Sequence, residues 1–305
     1  MKHFISLHDW SGQEIEQLLS AAMQLKKESK EGIPHKILAG KTLGMIFEKS
    51  STRTRVSFEV GMYQLGGAAL FLSSNDIQLG RGEDISDTAK VLSRYLDGIM
   101  IRTFQQKDVE DLADCGTIPI INGLTDLMHP CQVMADLQTI LEHKGKLKGL
   151  KLAYVGDGNN MAHSLLHGCA KVGMDISVAT PTAFACDANM VAQAKEAAKL
   201  SGAQIFITED CVAAVNDADV VYTDTWVSMG QEQEKEQKVK IFASYQVNQE
   251  LFAHAKPDAM FLHCLPAYRD YEVTADVIDG KNSYVFDQAE NRLHAQKAIM
   301  VALMK

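Results

Sequence analysis

Between Ser50 and Arg55 the chain runs Ser-Ser-Thr-Arg-Thr-Arg, gathering hydroxyl and guanidinium donors into six consecutive positions. An apolar run, Thr42-Leu-Gly-Met-Ile-Phe47, stands before it and a helix-like pattern follows. Donors at a helix start, joined by its free backbone N–H groups and positive dipole end, make an anion site. An arginine fork matches phosphate oxygens in pairs. One Ser-Thr pair would read as an ordinary helix cap; this density of donors over Ser50–Arg55 points to a phosphate. Arg102 closes the apolar stretch Gly-Ile-Met-Ile-Arg, at the same kind of location in another unit. His129 precedes Pro130 at an expected helix start and Gln132 lies one turn on, so the two offer neutral donors to a carbonyl oxygen or an amide.

A second group follows. In Leu-Ala-Tyr-Val-Gly-Asp-Gly-Asn-Asn-Met-Ala-His, Gly156 and Gly158 fit the first two glycines of a dinucleotide-binding turn, but Met161 stands where the third belongs. The next apolar run, Ile-Ser-Val-Ala-Thr-Pro, also ends without the acidic residue that would hold a ribose. The turn instead presents the amides of Asn159 and Asn160 at a helix start, where they suit the carboxylate and amino group of an amino acid. Asp224, after Val-Val-Tyr-Thr, can pair with an ammonium group, and Ser228 and Met229 share its loop. Cys264 ends Met-Phe-Leu-His-Cys, a place where a buried structural cysteine is usual. His163 and His167 are four apart, but His-Ser-Leu-Leu-His lacks the glutamate of a zinc-protease helix and no third ligand is evident, so no metal and no cofactor are expected.

These residues sit at the ends of apolar runs, which are the elements that must position them. Strands are expected at 42–47, 68–72, 98–101 and 118–121, then at 152–155, 176–179, 204–207, 220–222, 260–263 and 284–286, with helical patterns between them. Alternation of this kind implies parallel sheets in two doubly wound α/β domains, and ligands in such sheets sit beyond the carboxyl ends of the strands. Ser11 and Glu14 form a capping box, followed by Ile15, Leu18, Leu19 and Met23 at helical spacing. Pro130 to His143 reads as a helix ahead of the polar turn His-Lys-Gly-Lys-Leu-Lys-Gly-Leu-Lys, the best domain boundary. The charged stretch Gly230–Lys240 reads as a solvated loop or helix start.

The 305 residues suffice for two cores, and 30 basic against 39 acidic side chains leave a net charge of -9. That balance speaks against nucleic acid or an acidic membrane as partner, so any anion-binding arginine must act locally. Six cysteines without paired spacing fit a reducing compartment. The polar N-terminal pattern is not that of a signal peptide, no run reaches the roughly 18 apolar residues of a membrane span, and a cytoplasmic protein is expected.

Taken together, Ser51-Thr-Arg-Thr-Arg55, Arg102 and His129-Pro-Cys-Gln132 resemble the carbamoyltransferase family, in motif order and over the whole chain. Asp224-Thr-Trp-Val-Ser-Met-Gly230 and His263-Cys-Leu-Pro266 look like its ornithine-using members. The aspartate-using members instead carry a second His-Pro-Leu-Pro-like segment and lack the Ser-Met-Gly loop. The resemblance implies a carbamoyl-phosphate-binding domain over 1–133, completed by a C-terminal helix 291–305, a linking helix 134–145, and an ornithine-binding domain over 146–290, with the active site in the cleft between domains. It implies transfer of the carbamoyl group of carbamoyl phosphate to the δ-amine of L-ornithine, in arginine metabolism. Carbamoyl phosphate would be held by Ser51, Thr52, Arg53, Thr54, Gln78, Arg102, His129, Gln132, Cys264, Leu265 and Arg292; ornithine by Asn159, Asp224, Ser228 and Met229. Arg102, His129, Asp224 and Cys264 would be catalytic. Gln78 matches a loop that in trimeric relatives reaches a neighbour's site, although the local sequence departs from theirs, and a homotrimer or a multiple of trimers is implied. Rivals are transfer to aspartate, putrescine or N-acetylornithine, a nucleotide-dependent dehydrogenase, and a phosphate-binding protein without catalysis.

Overall fold

The structure is a computed structural model and describes residues 1–74, 77, 82–227 and 235–305. In chain order the elements are α1 (Gly12–Lys30), β1 (Thr42–Phe47), α2 (Thr52–Gln64), β2 (Ala68–Ser73), α3 (Ile85–Leu92), β3 (Gly98–Arg102), α4 (Gln106–Cys115), β4 (Ile120–Leu124) and α5 (Pro130–Lys144). They continue with β5 (Lys151–Val155), α6 (Asn160–Val172), β6 (Asp175–Ala179), α7 (Ala188–Ser201), β7 (Ile205–Thr208), α8 (Cys211–Val215), β8 (Val220–Thr223), α9 (Lys235–Phe242), α10 (Gln249–Phe252), β9 (Met260–His263), α11 (Ala275–Ile278) and α12 (Val285–Met304).

Two compact units result, Met1–Gln138 with Glu290–Lys305, and Thr139–Ala289. The divisions fall inside α5 and α12. The first unit holds a parallel sheet ordered β2-β1-β3-β4 and the second a parallel sheet ordered β7-β6-β5-β8-β9, so the expected pair of parallel-sheet α/β domains is present. Strands in such sheets are covered on both faces and so read as unbroken apolar runs. β1, β3, β8 and β9 are buried along nearly their whole length. Ile46, Ile99, Ile101 and Ile120 pack with Val109 and Leu112 of α4 in the first unit. In the second, Ala153, Val155, Val221 and Phe261 pack with Val215, Trp226, Phe242 and Val277.

Three expectations need correction. The segment 284–286 is not a strand: Ser283 makes a single bridge to Phe261, after which Val285 and Phe286 open α12, with Phe286 pointing to solvent. Three apolar residues cannot distinguish a strand from a helix start. The capping box of Ser11 and Glu14 is formed, but Met23 lies on the exposed side of α1 and Ala22 and Leu25 complete the buried face. The charged stretch is not wholly solvated either. Lys238 is buried, with its ammonium 2.6 Å from Asp157 Oδ2.

Candidate active site

β1 and β3 are adjacent, yet β2 lies to one side of them and β4 to the other, so the switch point of the first sheet lies beyond their carboxyl ends. Ser51 and Arg102 leave the sheet there. Ser51 is the N-cap of α2: its hydroxyl accepts the Thr54 N–H at 3.2 Å and donates to Thr54 Oγ1 at 3.1 Å. Thr54 is fully buried, and its Oγ1 also accepts from Arg292 Nη2 at 3.2 Å, across 238 residues of sequence. Arg292 Nη1 donates to Gln132 Oε1 at 2.7 Å, while Gln132 Nε2 donates to Asp136 Oδ1 at 2.8 Å. Both ends of the Gln132 amide are thereby oriented. Arg53 and Arg55 diverge: Arg55 turns outward to Glu59 at 3.0 Å and lies 3.8 Å over the Phe71 ring. Thr52 is exposed at the first turn.

His129 stands immediately before Pro130, which opens α5 with its fixed φ and missing N–H at no expense to the helix. The imidazole is buried, and its pKa is held well below the ordinary 6.5, first by burial and then by the cations of Arg292, Arg102 and Arg53. The ring is neutral and feels the charge of three guanidiniums. Such a ring can hydrogen-bond an anionic or carbonyl oxygen without transferring a proton to it. Arg102 is itself 7% exposed.

In the second unit the strand order reverses between β5 and β8, and the turns after those strands carry Asn159 and Asp224. Gly158 permits a close chain approach, but a Cβ there would meet the backbone of Phe184 and Cys186. Only glycine fits where this turn packs against the chain at Phe184–Cys186. Asn159 caps α6, its Oδ1 accepting Met161 N–H at 2.9 Å and Ala162 N–H at 3.3 Å, and its Nδ2 donates to Asp224 Oδ2 at 3.0 Å. Tyr154 Oη donates to Asp157 O at 2.9 Å and stands 3.3 Å from Asn159 Oδ1. Burial, then the neighbouring Asp224 and Asp157 charges, push this phenol well above its usual pKa. The other oxygen of Asp224, Oδ1, accepts Thr225 N–H at 2.8 Å and Cys264 Sγ at 3.0 Å. A buried carboxylate is thus aimed by an amide, a backbone N–H and a thiol, as a site for an ammonium or amine requires.

Two family models match the chain: "Aspartate/ornithine carbamoyltransferase, carbamoyl-P binding domain" over residues 2–142, and "Aspartate/ornithine carbamoyltransferase, Asp/Orn binding domain" over residues 148–303. The chain belongs to the aspartate/ornithine carbamoyltransferase family. Among its relatives, the ornithine carbamoyltransferase of Oceanobacillus iheyensis is 62% identical over 303 residues, covering 99% of this chain and 94% of that one. Among solved structures, the ornithine carbamoyltransferase from Pyrococcus furiosus superposes with a TM-score of 0.97 at 56% identity, over 99% of this chain and 97% of that one. An anabolic ornithine carbamoyltransferase from Campylobacter jejuni gives a TM-score of 0.93 at 44% identity, over 99% of both chains.

Of the residues singled out in the sequence, the first unit brings Ser51, Thr54, Gln132 and Arg292 into one bonded cluster beside His129, Arg102 and Arg53. The second unit brings together Asn159, Asp224 and Cys264, with Leu265 next in chain. Asn160 opens α6, where its carbonyl accepts the Ser164 hydroxyl. Gln78, Ser228 and Met229 lie outside the described residues. His163 and His167 are buried in α6, and His163 Nε2 accepts the Asp187 N–H at 2.9 Å. Asp224, His263 and Cys264 do place ligand atoms within 4.8 Å of one another, a geometry open to a cation. However, both nitrogens of His263 are already engaged, with Leu265 N and Glu272 Oε1. Sequence reasoning missed Tyr154, His263 and Glu272. His263 stands inside the His263-Cys-Leu-Pro266 motif, whereas Glu272, nine positions on, carries no local signal.

Proposed function

We propose that the chain catalyses carbamoyl transfer from carbamoyl phosphate to the δ-amine of L-ornithine, giving L-citrulline and phosphate. The observation that carries this reading is the Asp224 carboxylate, fixed at once by Asn159 and by the thiol of Cys264. Aspartate as acceptor would bring a side-chain carboxylate toward that group, a like-charge encounter; ornithine brings an ammonium.

In this reading Ser51, Thr52, Arg53, Thr54 and Arg102 hold the phosphate, with Gln132 and Arg292 on the carbamoyl end. The acceptor amine must first lose a proton, since an ammonium has no lone pair and its solution pKa resembles the roughly 10.4 of lysine. Asp224 and Cys264 position it, and Asn159, Ser228 and Met229 hold the amino-acid end. As the nitrogen–carbon bond forms, negative charge develops on the carbamoyl oxygen. Thr54, Arg102 and neutral His129 donate to it, as an oxyanion hole does, and one such donor is typically worth about 100-fold or more in rate. Gln132 and the backbone at Cys264–Leu265 orient the carbamoyl amide. The carbon–oxygen bond to phosphate then breaks; the first proton of the ammonium has gone to solvent, and the departing phosphate takes up the second proton, which the nitrogen sheds as it becomes the urea nitrogen of citrulline. Positioning two ligands accounts for most of the acceleration. The residues present call for no metal or cofactor in any of these steps.

The same reading assigns domain 1–133, completed by 291–305, to carbamoyl phosphate, 134–145 to the link and 146–290 to ornithine. It places the enzyme in the cytoplasm, in arginine biosynthesis. Among the described residues no helix is long and apolar enough to cross a membrane. A homotrimer or multiple of trimers belongs to the same reading. The test is stoichiometry: purified protein with both substrates should release one citrulline per phosphate. Phosphate release without citrulline would contradict the proposal.

A further inference from the structure

His263, the last residue of β9, is wholly buried, and so is Glu272. His263 Nδ1 accepts the Leu265 N–H at 2.9 Å. A nitrogen that accepts a backbone N–H bears a lone pair there, so the proton of the neutral ring lies on Nε2. Nε2 in turn faces Glu272 Oε1 at 3.2 Å. That same oxygen accepts the Tyr268 N–H at 2.6 Å, and the Glu272 main chain is fixed by Val247 N–H at 2.9 Å. The carboxylate therefore selects the tautomer of the imidazole, and the imidazole holds one particular peptide group.

That peptide group is unusual. Leu265 has φ +57°, a region that bulky L residues seldom occupy. It persists only where the surroundings over-determine it, and such residues cluster at functional sites. The bond from Leu265 N to His263 Nδ1 supplies the constraint. It sets the orientation of the Cys264–Leu265 backbone, and with it the approach of Cys264 Sγ to Asp224 at 3.0 Å.

We infer that Glu272 and His263 form a positioning pair for carbamoyl transfer, holding the Cys264–Leu265 backbone against the carbamoyl group through Leu265 N–H. The inference rests on the function proposed above. Neither side chain touches substrate; each acts through the next.

The two donors that reach Glu272 end on one oxygen, so a glutamine amide oxygen can replace it, whereas leucine cannot. Asparagine at 263 can likewise offer Oδ1 near the place of Nδ1, and leucine offers no acceptor. Four variants therefore make the test: H263L, H263N, E272L and E272Q, each assayed for citrulline formation beside the unaltered enzyme. H263L and E272L should lose 10- to 100-fold in kcat, with inhibition by inorganic phosphate unchanged, because the phosphate-binding residues lie in the first unit. H263N should recover at least tenfold over H263L, and E272Q should stay within about threefold of the unaltered enzyme. If H263L fails to fold, the E272L and E272Q pair decides. Rates of H263L or E272L within threefold of the unaltered enzyme would overturn the inference, as would E272Q being no better than E272L. Loss of phosphate inhibition in parallel with rate would also overturn it, since that marks general unfolding. An unaltered enzyme that makes no citrulline would instead bring down the proposed function, and this inference with it.

Discussion

Replacing Asp224 by asparagine tests the amine half of the site with almost no change in volume. Three donors converge on the carboxylate: Thr225 N–H and Cys264 Sγ on Oδ1, Asn159 Nδ2 on Oδ2. An amide can satisfy only one side of that arrangement. With its oxygen toward Thr225 and Cys264 it turns an NH2 group against the NH2 of Asn159; in the reverse orientation it faces two donors. The first orientation loses one hydrogen bond and is preferred, a loss of about 1 kcal/mol in the ligand-free protein. The larger effect falls on the ligand, because a hydrogen bond to a charged group is worth about 1.5–3 kcal/mol. That corresponds to roughly 10- to 150-fold, since about 1.4 kcal/mol is tenfold. The Asp224→Asn variant should therefore raise the KM for L-ornithine by one to two orders of magnitude and lower kcat. Its inhibition by inorganic phosphate should stay within about twofold, because the phosphate donors belong to the first unit. Initial rates of citrulline formation at saturating carbamoyl phosphate give both constants. Unchanged ornithine kinetics, or equal losses on both substrates, would refute the placing of the amine at Asp224.

Arg53→Ala should weaken carbamoyl phosphate by tenfold or more while sparing ornithine, as the separate KM values will show; equal losses would contradict the phosphate assignment. Arg292→Met removes the bonds to Gln132 and Thr54 and the strongest cationic influence on His129, so phosphate binding should weaken and the imidazole pKa should move up toward 6.5, readable from its NMR titration. Lys297 is buried in α12, where its ammonium donates to Ser29 Oγ and Gln64 Oε1, and burial lowers its pKa from 10.5 to about 8. A base depressed in the folded state makes stability rise with pH between those two values. Urea midpoints of Lys297→Met relative to the unaltered protein should thus be most favourable below pH 8 and decline toward pH 10.5; a difference independent of pH would contradict this. Burial pushes the thiols of Cys131 and Cys186 up to about 12, so both should resist alkylation at pH 8 in the folded protein, as mass mapping will show.

Much of this fold was legible because parallel strands buried on both faces are unbroken apolar stretches. Thr42–Phe47 and Met260–His263 have the limits expected from sequence. Position at a strand end then made Ser51, Arg102, Asp224 and Cys264 conspicuous, since the strand ends are where such sheets bind ligands. Tyr284–Phe286 was not legible, because three apolar residues carry no period that separates a strand from a helix start. Nor was the bond between Thr54 and Arg292, which the folding of distant segments creates. Asn159 was conspicuous as a ligand-binding amide, but the bonds by which its oxygen caps α6 and its nitrogen orients Asp224 exist only in the fold. Glu272 lay furthest from view: its role is defined by His263 and Tyr268, and nothing beside it in the chain announces either.

The most direct measurement is kcat/KM for product formation from carbamoyl phosphate with L-ornithine, L-aspartate, putrescine and N-acetylornithine in parallel. Citrulline from L-ornithine, exceeding every other product by orders of magnitude, is the predicted result. A preference for any of the other three amines would contradict the claim that Asn159, Asp224 and Cys264 form an ornithine site.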